Sequence, residues 1–323
     1  MSYPQKIFDK AILFKIQEYS RELGFELFGI TIPKLQKEDY DYLKNFIEKK
    51  QYANMQWFSN YQEIRLNPQN ILPSSKSVIV LGHYYRDIQY EDIVKNQQIK
   101  ISRYAIGKDY HNVLKKKLKQ LEKFIKLYYK DIHIRSTVDS APVPEKLLAK
   151  YAGLGWQGKN TNIINPEIGS YFFLSCIFTD YEIPSNWESK QITDHCKGCR
   201  LCIEHCPTKA LEPYKLIVER CISYLTIESK VPIPEKYIKK INGWVFGCDI
   251  CQEVCPFNRR KNLSKKTAKE SNFLLREEIK KIIYQLPEEK EWENLKNSPL
   301  KRVKYEIFKE NYKNILKYEY SQC

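Results

Sequence analysis

The sequence has no hydrophobic run long enough to cross a membrane or to serve as a secretory signal. Its opening segment, MSYPQKIFDKAILFKIQEYS, alternates charged and apolar residues at helical spacing. No later segment approaches the roughly 20 apolar residues that a transmembrane helix needs. Internal repeats of solenoid length are also lacking. We therefore expect a cytoplasmic protein that does not bind a membrane, with 323 residues available for a catalytic domain and smaller modules.

Acidic residues are scarce relative to basic ones. Asp and Glu total 39 against 54 Lys and Arg, which gives a formal net charge of +15. Such an excess favours a polyanionic partner, either a nucleic acid or an acidic redox protein, and the count alone does not distinguish the two. Residues 259–323 alone hold 17 basic and 10 acidic residues. A Lys-rich composition can also be no more than a solvated surface.

The sequence pattern divides the chain into residues 1–190, 191–258 and 259–323. In the first region helical patterns alternate with strand-like runs, which is typical of an α/β (α+β) domain. We expect helices up to Leu23 and over residues 40–50, 110–130 and 144–151, and strands over residues 25–32, 77–85, 132–139 and 170–179. The last region should be helical. Its stretch 298–318 fits a single amphipathic helix with an apolar face of Val303, Ile307, Phe308, Tyr312, Ile315 and Leu316.

The middle region contains most of the ten cysteines. A cytosolic chain keeps its thiols reduced, so metal binding or catalysis is expected rather than disulfides. The segment from Cys196 to Cys206 reads C-x2-C-x2-C-x3-C-P, in which three thiolates hold one [4Fe-4S] cluster and the fourth reaches a second cluster. The segment from Cys248 to Cys255 reads C-x2-C-x3-C-P, and Cys221 lies between the two. Zinc is less favoured, since a structural zinc site needs two C-x2-C hooks.

Eight thiolates are therefore available for two clusters. The crossed ligation of two-cluster ferredoxins divides them into two sets. We expect one cluster on Cys196, Cys199, Cys202 and Cys255, and the other on Cys206, Cys221, Cys248 and Cys251. Three further residues are expected not to bind iron, namely Cys176 as a buried core thiol, Cys323 as the chain end and His195 as a solvated loop residue.

Paired clusters transfer single electrons and perform no substrate chemistry, so the first region should hold a second cofactor or its docking surface. Between residues 101 and 260 the chain resembles the epoxyqueuosine reductase family, which is related to cobalamin-dependent reductive dehalogenases. The cysteine run alone would be generic. The resemblance rests on the ordered segments ISRYAIGKDYH (101–111), TVDSAP (137–142), GLGWQGKNTNII (153–164), CKGCRLCIEHCPTKAL (196–211), ERCISYLTIE (219–228) and GWVFGCDICQEVCPFNRR (243–260).

The resemblance implies a cobalamin between the α/β domain and the clusters, and reduction of epoxyqueuosine to queuosine at the wobble position of tRNA, the last step of queuosine biosynthesis. An external low-potential donor of the ferredoxin or flavodoxin type would supply the electrons. Loss of the epoxide oxygen as water requires an acid, and the resemblance implies Asp139, although an Asp can also simply cap a helix. The Gly-rich loop follows a helix, so it is not a dinucleotide fingerprint. The implied cofactor-binding residues are Trp57, Ser102, Arg103, Tyr104, Asp139, Gly158, Lys159, Asn160 and Asn162.

The family can carry HEAT-like repeats at the C-terminus, and SPLKRVKYEIFKENYKNILKY (298–318) resembles the start of one. With only this start present, we expect basic residues near it to contact tRNA phosphates in a monomeric protein. The residues expected to do so are Arg259, Arg260, Lys301, Arg302 and Lys304.

Two other functions compete with this interpretation. Reductive dehalogenases of small organohalides resemble exported proteins with twin-arginine leaders, which this N-terminus does not have. A protein that only transfers electrons would explain Cys196 to Cys255 but would leave the VD strand end and the Gly-rich loop without a purpose.

Overall fold

The computed structural model describes residues 6–187, 190–263 and 265–320, so Cys323 lies outside the described residues. None of the helices in these ranges is both long and apolar enough to cross a membrane. The helices are α1 (Lys10–Glu22), α2 (Lys37–Glu48), α3 (Gln62–Leu66), α4 (Ile88–Val94), α5 (Tyr110–Tyr128), α6 (Glu145–Tyr151), α7 (Leu201–Glu204), α8 (Glu235–Ile238), α9 (Ile250–Glu253), α10 (Glu277–Tyr284), α11 (Glu289–Glu293) and α12 (Tyr305–Tyr320). The strands are β1 (Leu27–Thr31), β2 (Ser77–Tyr84), β3 (Lys100–Ile101), β4 (Ile134–Thr137), β5 (Trp156–Gln157), β6 (Ile163–Ile164), β7 (Phe172–Thr179), β8 (Leu211–Glu212), β9 (Lys215–Leu216) and β10 (Trp244–Phe246).

The main sheet has the strand order β1-β2-β7-β4 and is antiparallel throughout. Of the two classes expected for the first region, the antiparallel pairing corresponds to α+β, because strict α/β folds have parallel sheets. Every residue of the central strand β2 is buried, which explains its continuous apolar sequence SVIVLGHY. The predicted helices and strands of the first region are confirmed to within a few residues at their ends.

Helices α1, α5 and α6 share the first hydrophobic core with this sheet. The carboxylate of Asp9 caps α1 by accepting from the Ile12 amide at 3.0 Å, and Asp109 caps α5 through the His111 amide at 2.9 Å. The predicted apolar face of α5 is buried at Leu114, Leu118, Leu121 and Ile125. Tyr128 at its end is an exception, being 39% exposed.

Helix α6 lies so close to β1 that glycine is required at Gly29. A Cβ there would be 2.1 Å from the carbonyl oxygen of Ala152, just beyond the end of α6. The loop that contains Asp139 leads into α6, so this close contact helps to position the helix that follows that loop.

A second hydrophobic core is built from all three predicted regions of the chain. In it the short parallel pair β3 and β10 meets the C-terminal helices. The rings of Trp292 and Phe308 are 4.3 Å apart at its centre. The division at residues 190 and 258 remains a prediction, but the packing of side chains crosses both positions.

The stretch 298–318 is not one helix, contrary to the prediction. Ser298 caps a short 3-10 turn over Pro299–Arg302, the backbone is extended at Val303, and α12 begins at Tyr305. Pro299 fits the first position of that turn, where its missing N–H costs nothing. The break leaves Val303, Phe308, Tyr312 and Ile315 buried as expected, while Ile307 and Leu316 are only partly buried against the second core.

Candidate active site and cluster-binding segment

The structure brings the eight predicted cysteine ligands together in two neighbouring groups. Burial raises the pKa of the Cys202 thiol to about 11, with further contributions from Cys196, Cys255 and Cys199. In the same way, burial and then Cys251 and Cys221 raise the pKa of Cys248. We call Cys196, Cys199, Cys202 and Cys255 the outer group. We call Cys206, Cys221, Cys248 and Cys251 the inner group.

A cavity of about 430 Å³ lies between the main sheet and the inner group. All four inner thiols line it, and within the described ranges no outer thiol does. Its aromatic wall contains Tyr104, Tyr110 and Phe173, and its amide and aliphatic hydroxyl side chains are Ser102, Asn160, Thr161, Asn162, Ser170, Ser223 and Gln252. A cavity of this size, lined by both apolar and polar side chains, is typical of a binding site for a small molecule or cofactor.

The Gly-rich loop joins the cavity wall to both groups of thiols. Asn160 donates its side-chain amide to the Cys251 carbonyl at 3.2 Å. Lys159 donates its Nζ to the Cys199 carbonyl at 3.0 Å and to that of Lys197, so it faces the cluster segment and not the cavity. Gly158 packs against Ile164, where a Cβ would meet a side-chain carbon at 2.4 Å. This loop therefore positions the cysteine segments as well as shaping the wall.

A buried ion-pair network fixes the loop that carries Cys248 and Cys251. Asp249 is fully buried and accepts from the Ser102 hydroxyl at 2.5 Å and from the Arg103 guanidinium at 2.9 Å. Arg103 also pairs with Glu253 at 2.7 Å and with Glu91 at 3.0 Å. Arg103 is thus held away from the cavity, whereas Ser102 lines it.

A close backbone approach makes this network possible. Gly247 has φ +67°, and a Cβ there would be 2.5 Å from the Cβ of Ser102. Its amide donates to the Thr226 hydroxyl at 2.9 Å, inside the π-helical segment Tyr224–Glu228. The motif GWVFGCDIC therefore needs glycine directly before the cysteine.

Asp139 follows β4 as predicted and has φ +48°, the left-handed region that non-glycine residues rarely adopt. Its Oδ2 accepts from the Tyr110 hydroxyl and lies 3.5 Å from His111 Nε2. Its amide donates to Glu145 Oε1 at 2.8 Å. The side chain is 52% exposed, so a substrate can reach it. Such an outlier held by several contacts is typical of a functional site.

The charges around Asp139 hold its carboxyl ionised. Although half of the side chain is exposed, desolvation by the surrounding protein atoms opposes ionisation, but hydrogen bonds from His111 and Tyr110 and the charge of Arg302 outweigh it, so the pKa is well below the usual range. Glu145 shows the opposite behaviour, because burial and the Asp139 charge raise its pKa above the ordinary value. Two neighbouring carboxyls with opposed shifts can divide acid and base roles between them.

His111 is the cationic member of this group. Burial lowers its pKa, but Asp109 and Asp139 more than compensate and raise it to about 9. Asp109 Oδ1 lies 2.7 Å from His111 Nδ1 on the side opposite Asp139. The imidazole thus bridges two carboxylates and can hold a proton at neutral pH.

Several predicted binding residues lie away from the cavity. Trp57 is 45% exposed and donates to Glu228 Oε2 at 3.3 Å. Arg302 pairs with the other oxygen of Glu228 at 2.8 Å, and its charge also reaches Asp139. Lys301 donates to the Trp292 carbonyl at 3.2 Å, and Lys304 is exposed.

Arg259 and Arg260 are exposed in a different part of the molecule. Arg259 donates to the Glu253 carbonyl at 2.6 Å. The Arg260 guanidinium lies 4.4 Å from the centre of the ring of Phe257, which is two residues after Cys255. These two arginines thus contact other residues than Arg302, which pairs with Glu228.

Two of the three residues that were expected not to bind iron have the exposure predicted for them, and the third, Cys323, lies outside the described residues. Cys176 is fully buried in β7 and His195 is exposed, as expected. Sequence reasoning missed Glu145 and Lys146, which begin α6 just after TVDSAP. Lys146 lines the cavity and donates to Asn162 Oδ1 at 3.2 Å. The sequence offered one signal for them, since these polar residues begin the helix that follows the strand end with Asp139.

Comparison with known proteins gives related families for two parts of the chain. Residues 65–140 match the family described as "Epoxyqueuosine reductase QueG, DUF1730", and residues 195–258 match "4Fe-4S double cluster binding domain". An epoxyqueuosine reductase of Cyclobacterium marinum is 38% identical over 298 residues, which cover 92% of this chain and 94% of the relative.

Two solved structures have the same fold. One is an epoxyqueuosine reductase with an epoxyqueuosine-modified stem loop of tRNA-Tyr, with a TM-score of 0.79 and 28% identity over 95% of this chain and 81% of the other. The second is the Bacillus subtilis enzyme with its catalytic aspartate loop swung out of the active site, with a TM-score of 0.79 and 27% identity over the same shares. These similarities cover the sheet, the cysteine segment and the helical C-terminus together.

Proposed function

This chain belongs to the epoxyqueuosine reductase family of oxidoreductases, and we propose that it reduces epoxyqueuosine to queuosine at the wobble position of tRNA. The reaction takes two electrons and two protons and releases the epoxide oxygen as water. The main support is one juxtaposition, in which a cavity has four cysteine thiols on one wall and, on another, Tyr110, whose hydroxyl donates to Asp139. A relative crystallised with a modified tRNA stem loop supports the substrate class.

The double-cluster domain holds two [4Fe-4S] clusters. We assign one to the outer group and the other to the inner group. Most of the mutual influence of the thiols on their pKa values falls within each group, which supports this crossed scheme, and the influence of Cys202 on Cys251 crosses between the groups. Because only the inner group lines the cavity, the inner cluster would deliver electrons to the reaction.

The cavity suits cobalamin as the second cofactor. Its amide and hydroxyl side chains match the carboxamide rim of a corrin, and the aromatic residues match the apolar ring. Ser102, Tyr104, Asn160 and Asn162 are the predicted binding residues that line it, and they would hold the cofactor. When bound, cobalamin supplies a strongly reducing metal centre beside the inner cluster.

Asp139 would pass on a proton that His111 stores. The Asp139 carboxyl is ionised in this conformation, so it must gain a proton before it can donate one. His111 is protonated at neutral pH and lies 3.5 Å away. The aspartate loop of a relative has been seen swung out of its active site, which supports movement of the strained Asp139 between its supplier and the substrate.

Substrate tRNA would approach from the side of Arg302, whose charge reaches Asp139. Lys301 and Lys304 belong to the same short stretch, and together they can neutralise phosphates. We propose that the helical C-terminus, from α10 to α12, corresponds to the start of a HEAT-like repeat. A cytoplasmic, monomeric protein fed by a low-potential donor is part of the same proposal.

The decisive test is anaerobic incubation of the cluster-loaded protein with cobalamin, a reductant and tRNA that contains epoxyqueuosine, followed by nucleoside analysis. Queuosine should form only when all components are present, and Asp139→Asn provides a matched variant that keeps the cofactors. Failure of the cluster-loaded protein to bind cobalamin would leave electron transfer alone as its activity.

A further inference from the structure

We propose that the exposed basic surface over the outer group is the docking site for an acidic, low-potential electron-transfer protein. We call Lys197, Arg200, Arg259 and Arg260 the outer basic surface. All four residues are exposed. The inference rests on the proposed function for the clusters and adds to it the place where electrons enter.

Sequence and contacts both join this surface to the outer group. Lys197 directly follows Cys196, and Arg200 directly follows Cys199. The Arg260 guanidinium lies 4.4 Å from the centre of the Phe257 ring, and Phe257 in turn contacts Trp156. A donor seated on these cations would therefore be close to the outer cluster.

The indole of Trp156 completes the path to a ligand sulfur. Its ring centre is 4.7 Å from that of Phe257, and its Nε1 donates to the Cys196 Sγ at 3.4 Å. Trp156, Cys255 and Phe257 pack in one small apolar cluster. Only a thin layer of side chains thus separates the outer thiols from the surface.

In the proposed function the substrate binds at the cavity, which the outer thiols do not line. Tyr110 lines that cavity together with the inner thiols and donates to Asp139. A donor on the outer basic surface would leave the cavity free for tRNA. Electron entry and substrate binding can then occur together without competition.

The charge of the surface favours an acidic partner over a neutral one. The carboxylates beside this surface in the described residues are Glu167, Asp194, Glu204 and Glu253. Asp194 accepts from the Cys196 amide at 2.7 Å, and Glu253 is paired with Arg103 at 2.7 Å. Glu204 is 4.0 Å from Arg200, with both side chains more than half exposed, so solvent screens that pair strongly. The remaining excess of cations would steer an acidic protein toward the outer cluster and speed association.

The electron balance needs only the donor as reductant. A reduced donor, such as a flavodoxin hydroquinone or a reduced ferredoxin, gives up one electron and is oxidised, and the outer cluster is reduced by that electron. Two such transfers supply the two electrons that the proposed reaction consumes. No atom is transferred between the proteins.

The experiment compares two charge reversals of equal size in the cluster-loaded full chain. Lys197→Glu with Arg200→Glu alters the outer basic surface, whereas Lys119→Glu with Lys123→Glu alters exposed residues of α5. Reduction of the clusters by photoreduced flavodoxin is followed by stopped-flow absorbance. We expect the first variant to be reduced at least about 10-fold more slowly at low salt, a difference that shrinks as salt screens the charges, and the second to match the unaltered protein.

Three controls separate the possible explanations. Iron content and reduction by dithionite, a small molecule that needs no docking surface, should be unchanged in both variants, as should affinity for tRNA. Arg259→Glu repeats the test at a residue outside the cysteine run. Equal donor rates in all variants would overturn the docking site while leaving the proposed function intact.

A loss of tRNA affinity with an unchanged donor rate would assign the surface to nucleic acid and also overturn the inference. Absence of clusters from the unaltered protein, or their failure to accept electrons from dithionite, would overturn the proposed function itself.

Discussion

The inner and outer groups of thiols are both predicted from the spacing of the cysteines, but they have different surroundings. Each combines cysteines from both cysteine-rich runs. The inner group opens on a cavity shared with the main sheet. The outer group instead contacts Trp156, through the Cys196 sulfur, beneath an exposed basic surface. One group therefore faces the chemistry, and the other faces the supply of electrons.

The contrast extends to what holds each group in position. Cys248 and Cys251 flank Asp249, which is fully buried and fixed by Ser102 and Arg103 of the first region. The outer group depends more on the Gly-rich loop, through the contact of Lys159 with Cys199. The inner group is thus positioned by a buried ion-pair network, whereas the outer group is positioned by hydrogen bonds from a loop close to the surface.

The largest effect should come from removing one ligand of each group. Cys248→Ala should lose the inner cluster and abolish queuosine formation with any reductant, by at least about 1,000-fold, because electrons then have no route to the cavity. Cys199→Ala should lose the outer cluster and abolish activity with a protein donor, yet regain part of it with a small strong reductant. Iron analysis and turnover with both reductants check this, and equal rescue of the two variants would contradict the division of roles.

Asp139→Asn should have the next largest effect, a fall in turnover of about 100- to 10,000-fold, as expected for loss of a group that transfers a proton. Both clusters and bound cobalamin should remain, because Asp139 contacts neither group of thiols and, contrary to the expectation that it binds the cofactor, does not line the cavity. Nucleoside analysis and visible absorbance measure the two properties. Full activity in this variant would rule out its role in proton transfer.

His111→Gln should slow turnover by about 10- to 100-fold and change its pH dependence. The pKa of His111 is raised to about 9, so its proton is present at pH 7 and is lost as pH rises through about 9. Activity of the unaltered protein should fall over that range, and the variant should not show the fall.

The same shift gives a prediction for stability. The contribution of protonated His111 to the free energy of unfolding is complete below the unfolded pKa of about 6.5, and it disappears as pH rises through about 9. The free energy of unfolding should therefore decline in that window for the unaltered protein and less for His111→Gln. An identical decline in both would indicate another titrating group.

Trp156→Phe should produce the smallest effect and one confined to the outer group. Loss of the N–H donor to the Cys196 sulfur at 3.4 Å removes a stabilising interaction with the reduced cluster, so the outer potential should become more negative. The shift should stay below about 59 mV, which is a tenfold change for one electron. Potentiometry with electron paramagnetic resonance can resolve the two clusters, and a shift in the inner one would break the comparison.

The sequence predicted the elements whose pattern is local. The α5 face and the β2 strand are set by apolar periodicity, and the division of the cysteine ligands between two clusters stays a prediction from their spacing. Local patterns could not predict that Arg103 pairs with Asp249, 146 residues later, and not with a cofactor. The break before α12 was missed because Val303 continues the apolar period, although its backbone is extended and separates the turn that begins at Pro299 from α12.

The buried Asp249 also bears on how this protein could have arisen and how it could be altered. Residues 195–258 look like a cassette that a designer might exchange for another ferredoxin. Joined to another domain that lacks counterparts of Ser102 and Arg103, however, they would bury the Asp249 carboxylate without its partners. Unpaired buried charges of this kind typically cost 3–5 kcal/mol. Changes in the two parts must therefore be inherited together, so mutations in the segment 102–103 and in the loop 247–251 should covary across the family.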